Sequence, residues 1–260
     1  MKAMILAAGL GTRLRPLTND RPKALVTVAG RTLLEIALSR LRSFGVREVI
    51  VNAHHHAEMI ADYLQAHDNF GMRIVLSLED KLLDTGGGLK KAAHFFLDSA
   101  GSDPESFILH NVDVLSTIDL GIMVRFHLQQ HALATLAVQD RVTSRYLLFD
   151  ELGQLCGRRV MHAQNAESSK TESGQDQLVR PAQQIQALAF SGIHVISPQI
   201  FAKMEEEGAF SIIDAYLHLA SQGEKIIAFR ADEYYWRDLG RPENLLEAAQ
   251  DMRIGTYSEN

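Results

Sequence analysis

From residue 3 to residue 138, short apolar runs alternate with stretches of helical periodicity, and this alternation restricts the chain to few folds. Residues 3–8, 49–51, 73–78, 107–109 and 132–138 read as strands, several of them buried on both faces. Helix signals lie between them. Thr32 and Glu35 form a capping box ahead of Leu34, Leu38, Leu41 and Phe44, and Gly45 supplies the stop. Residues 57–67 place Ile60 and Leu64 on one face, residues 89–97 continue from a glycine cluster, and residues 120–130 form the next helix. Strand–helix repetition at this interval implies an α/β fold with a doubly wound, mostly parallel sheet. Such sheets bind ligands at the carboxyl ends of their strands.

The alternation then breaks. Residues 145–150 and 154–160 read as a hairpin around Glu151-Leu152-Gly153. Residues 163–176 are polar and aperiodic, and are expected to be an exposed, mobile loop. A strand at 189–196 is followed by a helix that Pro198 opens and that runs to Glu207. A helix from Ser211 or Asp214 to Gln222, a strand at 225–229 and a last helix from Pro242 complete the chain. The expectation is one domain over residues 1–260, with a small β element inserted around 144–186.

The segment at residues 6–25 carries the chemistry. A strand that ends in Gly9-Leu10-Gly11 leaves backbone N–H groups bare, because glycine permits positive φ and close approach. Bare amides in such a loop attract an anion, usually a phosphate. Arg13 adds a fork of donors and Lys23 a compact charge. The dinucleotide fingerprint fits badly, since Leu14 stands where a third glycine belongs. The P-loop fits no better, because Lys23 follows Pro22 and precedes Ala24.

Residues 6–25, with Ala7-Ala8-Gly9-Leu10-Gly11-Thr12-Arg13-Leu14 and Pro22-Lys23-Ala24-Leu25, resemble the signature of the sugar-1-phosphate nucleotidyltransferases. The similarity is greatest to the members of that family that transfer uridylyl to N-acetylmuramate 1-phosphate or guanylyl to mannose 1-phosphate. These share a closely similar form of Asp84-Thr85-Gly86-Gly87-Gly88. The resemblance implies a Rossmann-like nucleotidyltransferase fold and transfer of a nucleotidyl group from a nucleoside triphosphate to a sugar 1-phosphate. It also implies that Asp113 and Asp238, which match the family's two metal-holding turns, bind a divalent ion. Mg²⁺ suits that role, since it combines one or two carboxylates with phosphates and water. The first turn departs from the family pattern, with Val112 where glycine is common.

Within that frame Arg13 and Lys23 are the expected catalytic residues. The nucleotide falls to Leu6, Ala7, Ala8, Gly9, Gly11, Thr12, Arg13, Lys23, Asn52, Asp84, Gly86 and Gly87, the last two letting a base lie flat on the backbone. Asn111, Ser191 and Gly192 are assigned to the sugar, although a glycine inside a strand also marks a bulge. Consecutive His54, His55 and His56 point in different directions and chelate poorly, so one of them is at most a pocket wall. Phe95-Phe96 and Tyr234-Tyr235-Trp236 read as core and pocket wall, and Glu205–Glu207 as a solvated helix end.

Composition sets the outer limits. The formal net charge of −6 argues against nucleic acid as a partner. Cys156 is the single cysteine, which suits a reducing compartment. Neither a secretory leader nor a membrane-length apolar run is legible, so the cytoplasm is the expected location. Two rival functions differ in class: a nucleotide-sugar-binding regulator without catalysis, and a nicotinamide oxidoreductase, against which the missing third glycine counts. Base, sugar and oligomeric state are left open at this level.

Overall fold

The computed structural model describes residues 1–98, 105–161 and 174–257. Its strands are β1 (Lys2–Leu6), β2 (Thr27–Val28), β3 (Arg31–Thr32), β4 (Glu48–Ala53), β5 (Arg73–Leu78), β6 (Phe107–Asn111) and β7 (Val114–Ser116). They continue with β8 (Ala134–Gln139), β9 (Arg145–Phe149), β10 (Leu155–Met161), β11 (Gly174–Leu178), β12 (Gln186–Ile196), β13 (Ile226–Arg230) and β14 (Trp236–Asp238). The helices are α1 (Leu33–Ser43), α2 (Ala57–Ala66), α3 (Asp84–Lys91), α4 (Ala93–Leu97), α5 (Leu120–Gln130), α6 (Ile212–Ser221) and α7 (Pro242–Ile254).

The expected α/β sheet is present. β5, β4, β1 and β6 lie side by side and parallel. β12 runs antiparallel to β6 and to β8, and β13 is parallel to β8. The central sheet is therefore mostly parallel, with β12 reversed and, beyond β9, β10 reversed as well. Side chains alternate across it: Ala3 and Ile5 of β1 pack with α1, α2, α5 and α7, while Met4 packs with α3, α4 and α6. The capping reading of α1 holds in its forward half, where Thr32 Oγ1 accepts from the Glu35 amide at 3.1 Å. The Glu35 carboxylate turns instead to Arg31 Nε at 2.8 Å and Tyr63 OH at 3.2 Å. No helix among the described residues is long and apolar enough to cross a membrane.

The β9–β10 hairpin forms as expected. Its tip closes with Gly153 at φ +72° and with Asp150 Oδ1 accepting from the amides of Leu152 and Gln154. Three expectations need correction. Residues 174–176, assigned to a loop, belong to β11 and pair with β10, while 163–173 lie outside the described residues. The helix placed at 89–97 begins earlier, at Asp84, and is interrupted at Ala92, so the glycine cluster forms the first turn of α3. The helix opened by Pro198 is a 3-10 segment that ends at Ala202, and so the Glu205–Glu207 run ends no helix. There the chain turns through Gly208 (φ +71°) to bring Phe210 over α3, where its amide donates to the Leu83 carbonyl at 3.1 Å.

Candidate active site

The parallel register sets Asn52 and Asn111 on either side of Leu6, at the carboxyl ends of β4, β6 and β1. A cleft of about 420 Å³ opens above this row. Of the expected residues, Leu6, Ala8, Gly9, Lys23, Asn52, Asp84, Asn111 and Asp113 line it. A second cavity of the same volume, lined by His127, Ser197 and Lys225 among others, contains none of the expected site residues.

The loop after β1 leaves its backbone amides bare, as its glycines imply. Among the described residues, the amides of Ala8, Gly9, Leu10 and Gly11 donate to no acceptor, whereas the Ala7 amide is bound to Asn52 Oδ1 at 2.7 Å. Leu14 is fully buried and anchors the following turn, Thr12–Leu14, leaving Thr12 and Arg13 exposed. Gly11 has φ +63°, and a Cβ there would sit 2.9 Å from Thr18 Cγ2 and 3.1 Å from Lys23 Cβ. Glycine therefore lets the loop fold down onto the Lys23 segment.

The two aspartates come together through a pairing the sequence did not reveal. Asp113 immediately precedes β7 and Asp238 ends β14, and these short strands pair antiparallel with Asp238 opposite Val114. The Leu239 amide donates to the Asp113 carbonyl at 2.7 Å. Lys23 Nζ donates to Asp113 Oδ2, and Arg13 Nη1 lies 3.8 Å from Asp238 Oδ2. The point where a Cβ on Gly240 would stand is 2.7 Å from Arg13 Nη2, 2.8 Å from Asp238 Oδ1 and 3.2 Å from Asp113 Oδ2. All three groups thus crowd against one glycine, which leaves no room for a side chain.

The carboxyls titrate in opposite directions. Burial pushes Asp113 up, but the adjacent Lys23 charge outweighs it and holds the carboxyl below its ordinary value. Burial also raises Asp238, and there the negative charge of Asp113 adds to the effect, with Lys23 and Arg13 compensating only in part. Among the described residues, no group of three or more His, Cys, Asp or Glu is placed to hold a metal ion. What the fold offers is a pair of adjacent carboxylates, which suits a hard cation that fills its shell with phosphate and water.

The remaining expected residues fall into two sets. Asn111, Ser191 and Gly192 are adjacent: β12 bulges between Phe190 and His194, Gly192 has φ +74°, and a Cβ on it would lie 2.8 Å from Asn111 Nδ2. Ser191 is fully buried, and its Oγ is unpartnered among the described residues. Gly86 and Gly87 are occupied otherwise. Their amides both donate to the Phe210 carbonyl, at 2.9 and 3.3 Å, and a Cβ on either would overlap the Phe210 ring or the Gly208 carbonyl oxygen. Their N–H groups pack the 208–210 segment against the first turn of α3. Asp84 stays exposed at the cleft mouth. Asn52 is buried, with Nδ2 donating to Glu79 Oε1 at 2.8 Å. His54 bonds through Nδ1 to the Glu79 carbonyl at 2.6 Å.

Residues 2–149 match the nucleotidyl transferase family. The chain belongs to that family. It is 35% identical to N-acetylmuramate alpha-1-phosphate uridylyltransferase of Caulobacter vibrioides, covering 95% of this chain and 94% of the relative. It is 28% identical to probable mannose-1-phosphate guanylyltransferase 2 of Oryza sativa subsp. japonica, over 95% of this chain and 63% of that longer protein. In three dimensions it is similar to HddC from Yersinia pseudotuberculosis complexed with GMP-PN, with TM-score 0.71, 23% identity, and coverage of 96% and 99% of the two chains. That likeness shows the fold. The resemblance drawn from residues 6–25 is borne out, and so is the expectation of an enzyme.

Two residues of this nucleotidyl transferase escaped the sequence reading. Glu79 follows β5 directly, is almost fully buried, and lines the cleft. Its Oε2 accepts from the Leu83 amide at 3.0 Å, so it braces the approach to α3. Its signal was position: an acid just beyond a strand on the carboxyl edge of the sheet. Arg141 lies beyond β8 with its guanidinium 3.5 Å from the centre of the Trp236 ring, a contact that no local pattern announces.

Proposed function

We propose that the protein transfers a nucleotidyl group from a nucleoside triphosphate to a sugar 1-phosphate, releasing pyrophosphate and a nucleotide sugar. The observation that carries this reading is the convergence of Lys23, Arg13, Asp113 and Asp238 beside a cleft edged by bare loop amides. UTP with N-acetylmuramate 1-phosphate is the preferred pair, supported by the relative that matches along nearly its whole length. GTP with mannose 1-phosphate is the next.

The attacking phosphate oxygen is already an anion and needs no base. What opposes reaction is the repulsion between two phosphorylated reactants, so catalysis reduces to alignment and charge neutralisation. Before substrate arrives, two cations and two carboxylates neutralise one another. On binding, Lys23 turns to the α-phosphate region or the incoming phosphate, and Arg13 to the β- and γ-phosphates. The loop amides of Gly9 and Gly11 hold phosphate oxygens. Asp113 and Asp238 would hold a divalent ion, for which Mg²⁺ is the natural choice. When bound, the ion supplies the charge that lets these carboxylates stand near phosphate and polarises the phosphoryl oxygens. The raised pKa of Asp238, caused by burial and then by the Asp113 charge, fits this arrangement, because a cation would relieve both the desolvation and the repulsion.

The test is pyrophosphate release across a matrix of nucleoside triphosphates and the muramyl, glucosaminyl, mannosyl, glucosyl and heptosyl 1-phosphates, with Mg²⁺ present. Turnover in at least one combination is expected. Binding without turnover across the matrix would favour a non-catalytic regulator.

A further inference from the structure

Arg141 follows β8, and no carboxylate is paired to it among the described residues. Its guanidinium stacks 3.5 Å from the Trp236 ring centre, and Nη2 donates to the Phe190 carbonyl at 2.8 Å. Nε is buried and unpartnered among the described residues. Arg158, Arg159, Arg180 and Arg237 contrast with it, since each is paired with a carboxylate. Burial lowers the pKa of Arg141, and the charge of Asp238 offsets that only in part. A desolvated cation without a counter-ion is unfavourable, and one explanation is that the counter-ion arrives with a ligand.

The same corner holds a second unsatisfied group. Trp236 Nε1 donates to the Ser191 carbonyl at 2.7 Å, and the buried Ser191 Oγ has no partner among the described residues. The next residue, Gly192, lies against Asn111, which lines the cleft. Arg141 therefore flanks the side of the site assigned above to the sugar, while Lys23, Arg13 and the loop amides face the phosphates.

We propose that Arg141, propped on Trp236, is a specificity-determining residue that pairs with a carboxylate carried by the ring of the sugar 1-phosphate. The inference rests on the transferase reading above and deepens it: the substrate is an acidic sugar. A planar guanidinium matches a carboxylate through two parallel hydrogen bonds, which a neutral hydroxyl cannot reproduce. N-acetylmuramate 1-phosphate carries such a group on its lactyl ether. N-acetylglucosamine 1-phosphate is the same sugar without it.

The experiment compares wild type, Arg141→Met and Arg141→Lys on these two sugars, with Mg²⁺ and the better of UTP and GTP. The readout is the ratio of kcat/KM for the acidic sugar to that for the neutral one. Wild type should favour the acidic sugar. The ratio should fall at least ~30-fold in Arg141→Met, the loss typical of removing one partner of a desolvated charge pair. Arg141→Lys keeps the charge without the fork and should fall between. Equal losses on both sugars would assign Arg141 to the shared phosphate and overturn the proposal, as would an unchanged ratio. Turnover by wild type without preference for the acidic sugar would sink this inference alone. No turnover with any sugar phosphate would sink the transferase reading and this inference with it.

Discussion

The two glycine clusters look alike in sequence and are used in opposite ways. Around Gly9 and Gly11 the backbone is left open: four consecutive amides have no acceptor among the described residues, and a Cβ on Gly9 would meet only empty space. At Gly86–Gly88 the backbone is closed. The first two amides are donated to Phe210, and a Cβ at Gly88 would approach Asn52 Nδ2 and Glu79 Oε1 to 2.8 Å each. One cluster leaves its backbone open, and the other lets a neighbouring segment of the protein pack close. The difference lies in what packs from outside the segment, not in the local residue pattern.

The largest expected effect tests the open cluster through its cation. Lys23→Met should lower kcat/KM by ~10²–10³, the loss typical of one preorganised charge at a transferring group. A loss under tenfold would mean that the open loop does not serve the phosphates. The next effect separates the aspartates that face that loop. Asp113→Asn strands Lys23 and should destabilise the ligand-free protein by on the order of 3 kcal/mol in urea. Asp238→Asn removes a carboxyl that its surroundings disfavour and should raise stability while abolishing turnover.

The pH dependence follows with opposite signs. Asp113 has its folded pKa below the ordinary 3.8, so its stabilisation is present above that value and lost as pH falls through the folded pKa. Asp238 has its folded pKa above 3.8, so its contribution is present below that value and lost as pH rises through the folded pKa. Urea midpoints of both variants across pH 2–7, that range being roughly where carboxyls titrate, would show the two slopes reversed.

The glycines themselves give the sharpest contrast. Gly87→Ala should cost ~1–3 kcal/mol of stability, because the added methyl meets a backbone carbonyl that cannot swing aside. Gly9→Ala, at a position with open space, should leave stability within about 0.5 kcal/mol. It should instead raise KM for the triphosphate by about tenfold, because the added methyl projects into the open space over the amides and weakens a contact worth about one hydrogen bond. If Gly87→Ala shifts KM and spares stability, the contrast between the clusters dissolves.

Much of the molecule was legible beforehand. The parallel strands and most helices followed from periodicity, because each buries a face whose spacing is local. The loop of bare amides was legible since strand, glycines and basic residues are contiguous. What escaped depends on distant pairing. β11 is wholly exposed and, apart from Leu178, has no apolar side chain, so it lacks an apolar alternation, and it pairs with the edge that β10 offers. The family resemblance implied that Asp113 and Asp238 meet, but the β7–β14 pairing that joins them escaped, because strands of three residues each are too short for any pattern. Phe210 closing over Gly86, and Arg141 lying on Trp236, join residues far apart in the chain, and neither segment alone carries a trace of the other.

The claim beneath the rest is that Asp113 and Asp238 form one cation site that works with a bound triphosphate. Manganese affinity, read by electron paramagnetic resonance with a non-hydrolysable UTP analogue present, tests it directly in wild type, Asp113→Asn and Asp238→Asn. The account predicts a weakening of at least ~10-fold in each variant, as for loss of a group supporting a metal site. Manganese binding of equal strength in all three proteins would contradict it.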